Sequence, residues 1–229
     1  MADKILVLLS GGTDSATCLA KAIEKVGKEN IETLNMTYGQ RHTKEIENAK
    51  AITSYYGVPY TLVDLTEVFQ FSNCALLGHS TDSINHDTYE HQVEQLQGQD
   101  RINTYVPFRN GVMLAVCTTF ALSKGCDVIY IGAHASDAAY PDCLPEFGEA
   151  MQKAIYEGSG HKVTTETPLQ NMTKAQVIQE GLKLGVPYEL TWSCYEGKEK
   201  ACGKCASCLE RLKAFQENGV QDAIEYEGN

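Results

Sequence analysis

No apolar run in this 229-residue chain is long enough to matter to a membrane. The first, residues 5–9, is five residues long and too short for a signal-peptide core. The longest apolar-rich stretch, residues 111–122, is interrupted by Thr118 and Thr119 and cannot span a bilayer. A cytoplasmic location without membrane partners is the expectation. Basic residues are also in short supply. Lys and Arg number 19 against 30 Asp and Glu, a net charge of −11. Proteins that bind tRNA or DNA draw affinity from neutralising phosphates and usually carry a basic surface. The balance here favours small-molecule partners over direct nucleic-acid binding. Repeats and low-complexity linkers are missing as well. The length suits one good core with a small appendage.

What the chain does have is alternation. Residues 5–9, 31–37, 60–63 and 127–131 read as strands, and 15–26, 43–56 and 111–123 as helices. This rhythm predicts an α/β fold, a doubly wound parallel sheet with helices on both faces. Ligands of such sheets sit at the carboxyl ends of the strands. Residues 67–103 follow no strong period, with a weak helix through Tyr89, Val93 and Leu96. They read as a lid or mobile insertion, or equally as a solvated surface insertion. Residues 217–229 read as a frayed tail.

The first predicted strand runs into Ser10-Gly11-Gly12-Thr13-Asp14-Ser15 and then into a helix. Strand, glycine turn and helix start together aim backbone N–H groups at an anion. Ser10, Thr13 and Ser15 add hydroxyls. No Gly-Lys-Ser/Thr ending follows, which excludes the loop used for γ-phosphoryl transfer. Asp14 would repel a phosphate unless Mg²⁺ or a shifted pose intervenes.

Nine cysteines are present, and Cys194, Cys202, Cys205 and Cys208 form C-x7-C-x2-C-x2-C. Four thiolates close a tetrahedral zinc site of the structural type. An iron–sulfur cluster is the rival reading. Cys18, Cys117 and Cys126 fall on apolar faces and read as buried small hydrophobes. Cys143, in a polar segment, is a candidate for lining the site without acting as nucleophile.

The Ser10–Ser15 run resembles the loop of the pyrophosphate-loop ATP pyrophosphatase superfamily. Loop and cysteine cluster together resemble the 7-cyano-7-deazaguanine synthase family within it. Further matching runs are Tyr38-Gly39-Gln40-Arg41-His42, Val106-Pro107-Phe108-Arg109-Asn110, Tyr140-Pro141-Asp142-Cys143, Thr167-Pro168-Leu169, Lys174-Ala175 and Ser193-Cys194-Tyr195. The likeness covers about residues 4–215. Three places depart from it. Phe108 stands where many members have Gly, residues 134–139 replace a common Cys-Glu-Thr-Asp-Phe-Ser version, and Leu144 follows Cys143 where Arg is frequent.

The resemblance implies a Rossmann-like, adenine-nucleotide α-hydrolase-like domain over 1–190, a zinc-binding C-terminal segment over 191–218 and a tail over 219–229. It implies an ATP-dependent C–N ligase that turns 7-carboxy-7-deazaguanine and ammonia into the nitrile, with structural Zn²⁺, Mg²⁺ and a homodimeric assembly. The nucleotide would be held by Leu9, Ser10, Gly11, Gly12, Thr13, Asp14, Ser15, Ala16, Thr17, Cys18 and Leu19. Asp14, Lys174, Arg109 and Arg41 would be catalytic. Arg109, Asp137 and Asp142 would bind the deazaguanine, whose N–H edge suits a carboxylate. His42, His134 and His161 receive no role. A tRNA-thiolating enzyme of the same superfamily and a non-catalytic zinc-knuckle module remain the alternatives.

Overall fold

The computed structural model describes residues 3–96, 101–134 and 139–228. Along the chain lie β1 (Ile5–Leu8), α1 (Thr13–Val26), β2 (Ile31–Thr37), α2 (Lys44–Tyr56), β3 (Thr61–Asp64), α3 (Thr66–Phe69), α4 (Tyr89–Glu94), α5 (Arg109–Lys124), β4 (Val128–Tyr130), α6 (Pro145–Gly158), β5 (Thr164–Glu166), α7 (Lys174–Lys183) and α8 (Ala206–Glu217). The strands form one sheet in the order β3-β2-β1-β4-β5, and every pairing is parallel. The expected doubly wound α/β sheet is present.

Strand side chains alternate between faces, so the inner strands β1, β2 and β4 each feed two cores. Ile5, Val7, Ile31 and Val128 pack with α1, α7 and the end of α8. Leu6, Leu34 and Ile129 point the other way, toward α5 and the cysteine segment. The chain builds β1, β2 and β3 outward, then crosses back to lay β4 on the free side of β1. The strand order therefore reverses between β1 and β4, which opens a crevice at their carboxyl ends. Among the described residues, no helix is long and apolar enough to cross a membrane.

Two sequence expectations change here. The stretch after residue 67 is neither a lid throughout nor a solvated insertion. Cys74, Ala75, Leu76, Leu77 and Ile84 are buried in the core on the α5 face. Leu77 bridges to Gln40, and Gly78 N–H donates to Gly39 O at 2.8 Å. Short apolar runs in irregular backbone carry no period, so their burial escapes pattern reading. The C-terminal tail is also not frayed through residue 228, the last described. Fully buried Arg211 bonds Asp222 through Nε at 2.6 Å and Nη2 at 2.8 Å. The Tyr226 hydroxyl donates to the same carboxylate, and Ala201 pairs with the backbone at 225–227.

Candidate functional site

The Ser10–Ser15 turn sits at the β1–β4 crevice and opens α1. Gly11 has φ +93°, and a Cβ there would lie 2.2 Å from Glu45 O. Only glycine permits both the turn and the approach of α2. Gly132, after β4, is also tight: a Cβ would stand 3.1 Å from Ser15 N. The start of α1 is thus wedged between two backbones. Gly12 caps α1 without a side-chain bond, so the first-turn N–H groups remain to be satisfied by a ligand or water. Within the loop, Ser10 Oγ and Ser15 Oγ lie 3.0 Å apart, and Ser15 Oγ donates to Gly12 O at 3.1 Å.

Ser10, Gly12, Thr13, Asp14 and Ser15 line a cavity of about 250 Å³ that also holds Lys174, Arg109, Tyr38, Glu45, Tyr140, Ser193 and Tyr195. Leu9, Ala16, Thr17, Cys18 and Leu19 are buried behind the loop. Thr17 Oγ1 is tied to Thr13 O at 2.8 Å and to Tyr188 Oη at 2.9 Å, and Cys18 Sγ faces Ile131 O at 3.6 Å. These five support the loop from the core.

Lys174 begins α7, and its Nζ lies 2.6 Å from both oxygens of Asp14. Buried His134, from the segment after β4, places Nε2 3.6 Å from Asp14 Oδ2. Burial pushes the Asp14 carboxyl up, but Lys174 and His134 outweigh it and hold the group well below the usual carboxylate range. Arg109, the first residue of α5, reaches the cavity with Nη1 3.2 Å from the Tyr38 hydroxyl and its guanidinium 5.2 Å from that ring. Burial lifts the Glu45 carboxyl to about 7 against the opposing charge of Arg109, which makes it a group able to exchange a proton near neutrality. Burial likewise drives the Tyr38 phenol up to about 12. Tyr89 comes in from α4 and bonds the Tyr195 hydroxyl, closing one wall.

The remaining sequence candidates fall elsewhere. Arg41 does not line this cavity; its guanidinium holds the backbone carbonyls of Ser80 and Asp82. Asp142 caps α5, accepting from Asn110 N–H at 2.9 Å, and Asn110 Nδ2 contacts Asp142 O and Cys143 Sγ at 3.0 and 3.2 Å. It faces an adjoining cavity of about 420 Å³, which shares Asn110, Ile131, Ala133 and Cys143 with the first. Asp137 lies outside the described residues. Sequence reasoning missed Tyr38, Glu45, His134, Ser193 and Tyr195. Tyr38, Ser193 and Tyr195 stand inside runs already singled out, where formal charge and cysteine drew the attention. Glu45 carries no sequence signal, because one acidic residue in a first helical turn is ordinary.

Cys194, Cys202, Cys205 and Cys208 are all buried, and their sulfurs lie within 4.8 Å of one another. Cys202 and Cys208 are 3.9 Å apart, far beyond a disulfide bond. Thiolates about 2.3 Å from a tetrahedral ion sit about 3.8 Å apart, so the cage fits such an ion. Backbone N–H groups of Lys204 and Cys205 point at Cys202 Sγ at 3.4 and 3.3 Å, and that of Cys202 at Cys194 Sγ at 3.3 Å. Donors of this kind favour thiolate. The cluster is a candidate metal site built by the start of α8 and the extended segment before it.

A sequence family described as "Queuosine biosynthesis protein QueC" matches residues 4–219. The 7-cyano-7-deazaguanine synthase of Thermoplasma acidophilum is 44% identical over 229 residues, covering 98% of this chain and 92% of that relative. The enzyme of the same name from Oceanobacillus iheyensis is 43% identical, covering 97% and 98%. The 7-cyano-7-deazaguanine synthase 1 of Colwellia psychrerythraea is 40% identical, covering 99% and 100%. Among solved structures, NMN synthetase from Francisella tularensis superposes with a TM-score of 0.52 at 16% identity, over 96% of this chain and 79% of that one. Glutamine-dependent NAD⁺ synthetase from Acinetobacter baumannii gives 0.54 at 15% identity, over 84% and 32%. At such identities the likeness is one of fold.

Proposed function

The chain belongs to the QueC family of queuosine biosynthesis proteins, and from that premise we propose that it makes 7-cyano-7-deazaguanine from 7-carboxy-7-deazaguanine and ammonia, using ATP twice. A carboxylate is a poor electrophile. Its oxygen attacks the α-phosphorus of ATP, pyrophosphate leaves, and the acyl adenylate forms. Ammonia attacks the carbonyl, loses a proton and expels AMP to give the amide. The amide oxygen attacks a second ATP, pyrophosphate leaves again, and loss of the N–H protons with AMP leaves the nitrile.

The observation that carries this reading is the juxtaposition of the Ser10–Ser15 loop and Arg109 across one cavity. The N–H groups at the start of α1 receive the departing pyrophosphate as preorganised donors. Arg109 pairs the substrate carboxylate. We place the deazaguanine base in the adjoining cavity, so that its carboxyl group reaches the nucleotide where the two spaces share Asn110 and Cys143. Glu45 is suited to take a proton from ammonium.

Asp14 is the residue that would hold Mg²⁺, which supplies charge neutralisation of the phosphates when bound. Lys174 and His134 keep that carboxylate ionised. The four cysteines would hold zinc in a closed structural site. A reduced, cytoplasmic setting suits these thiols, and the resemblance further suggests a homodimer.

The test is incubation with ATP, Mg²⁺, ammonium and 7-carboxy-7-deazaguanine, followed by mass analysis. The expected result is the nitrile with about two AMP and two pyrophosphate per turnover, as loop-stabilised pyrophosphate departure requires. ADP and phosphate as products would overturn the adenylation scheme.

A further inference from the structure

Ser193 lines the cavity and has no part in the reading above. Its Oγ is buried and has no hydrogen-bond partner among the described residues, although the residue lines the cavity beside the loop. A buried hydroxyl in that state has given up water without a replacement. The loop's own hydroxyls differ: Ser10 and Ser15 pair with each other, and Thr13 Oγ1 faces Asp14 Oδ1 at 3.4 Å.

The neighbours of Ser193 fix where it stands. Trp192 N–H donates to Gly11 O at 2.9 Å, and Trp192 O would lie 3.6 Å from a Cβ on Gly12. The segment is therefore strapped across the turn of the loop, next to the N–H groups that open α1. On its other side, Cys194 turns into the sulfur cluster and Tyr195 returns to the cavity wall. Trp192 Nε1 donates to Cys194 O at 3.0 Å and stiffens the strap. Cys194 joins the sulfur cluster, and the residues on either side of it, Ser193 and Tyr195, both line the cavity.

We infer that Ser193 is a nucleotide-contact residue, whose hydroxyl donates a hydrogen bond to a phosphate oxygen of ATP held at the Ser10–Ser15 loop, and that Cys194 positions it. This rests on the nucleotide reading above and adds a donor from about 180 residues beyond the loop motif, on a backbone anchored by the cysteine cage. A hydroxyl on an ionised phosphate makes a charge-assisted bond, stronger than the same bond between neutral groups.

The experiment uses the full chain with its purified metal content and compares wild type, Ser193→Ala and Ser193→Thr. Calorimetry with ATP, pyrophosphate and adenosine, each with Mg²⁺, reads the contact. Ser193→Ala is expected to weaken ATP and pyrophosphate by about 10-fold or more while leaving adenosine unchanged, and Ser193→Thr to recover most of the loss. Thermal melting without nucleotide is expected to be unchanged or higher in Ser193→Ala, because the variant removes an unpaired buried oxygen. The nucleotide-induced rise in Tm should shrink. Unchanged ATP and pyrophosphate affinities, an equal loss for adenosine, or a lower Tm without nucleotide would each overturn the assignment. A wild type that binds no ATP would instead bring down the nucleotide reading itself.

Discussion

The Asp14 carboxylate and the Lys174 ammonium meet across 160 residues of chain, with Nζ 2.6 Å from both oxygens. One group stands in the first turn of α1 and the other begins α7, so the contact joins two helix N-termini at the mouth of the cavity. Both helix dipoles present their positive ends there, and Lys174 adds a full charge. Asp14 offsets part of this and leaves a field suited to a polyanion.

This pair sets an acid dependence. The Asp14 carboxyl lies below its ordinary 3.8 in the folded protein. A lowered carboxylate contributes its stability in full above the unfolded value and loses it as pH falls toward the folded one. The stability gap between wild type and Asp14→Asn, taken from urea unfolding, should stay constant from about pH 7 to about pH 5 and shrink toward about pH 3. A gap independent of pH would show that Asp14 is not held ionised by its partners. At neutral pH, Asp14→Asn should keep the fold and lose turnover by about two orders of magnitude or more.

Removal of metal should unlock the fold before it touches the chemistry. Elemental analysis is expected to return about one zinc per chain, without the colour of an iron–sulfur cluster. Cys205→Ser, or a strong chelator, should lower Tm and solubility, because a closed thiolate cage contributes to folding. Stoichiometric iron and sulfide would replace the zinc assignment.

Phe108 and Gly111 form a coupled pair. Phe108 has φ +56°, an uncommon conformation for a bulky side chain, and its ring lies where a Cβ on Gly111 would come within 2.3 Å. Gly111→Ala should therefore cost stability in wild type, since the ring must leave its edge contact with Phe147. In a Phe108→Gly background the same change should stabilise by about 1 kcal/mol, the helix preference of Ala over Gly. A double-mutant cycle with no coupling would show that the ring moves aside freely.

The buried Arg211–Asp222 pair makes the C-terminal segment structural. Asp222→Ala strands a cation that is fully shielded from water and should cost about 3–5 kcal/mol. Removing both charges, as Arg211→Met with Asp222→Leu, should cost less than Asp222→Ala alone. Chemical denaturation of the two variants measures the difference. A tail that can be mutated at Asp222 without loss would contradict the docked arrangement.

Most of the layout was legible in the chain order. Residues 31–37 form β2 as read, and α1, α2 and α5 fall within two residues of their expected ends. Strong apolar alternation and helical spacing need no tertiary knowledge. The short strand β5, Thr-Thr-Glu, carries no apolar signal, and the buried run 74–77 lies in irregular backbone that shows no period. Arg41 is a different case. Its charge beside a matched motif suggested a phosphate, yet the fold gives its guanidinium to the carbonyls of Ser80 and Asp82.

The sequence by itself determined the local chemistry: a hydroxyl-rich glycine turn before a helix, a four-cysteine spacing and a parallel α/β rhythm. Each depends on neighbours a few residues apart, where backbone geometry dictates what side chains can reach. Only the tertiary structure decided that Lys174 and His134 flank Asp14, that Asp142 caps α5, and that the strap beside Cys194 sets Ser193 against the cavity. Those relationships join residues tens to hundreds of positions apart. They arise from the crossover that sets β4 beside β1 and from the cage that pins residues 191–208 over the loop.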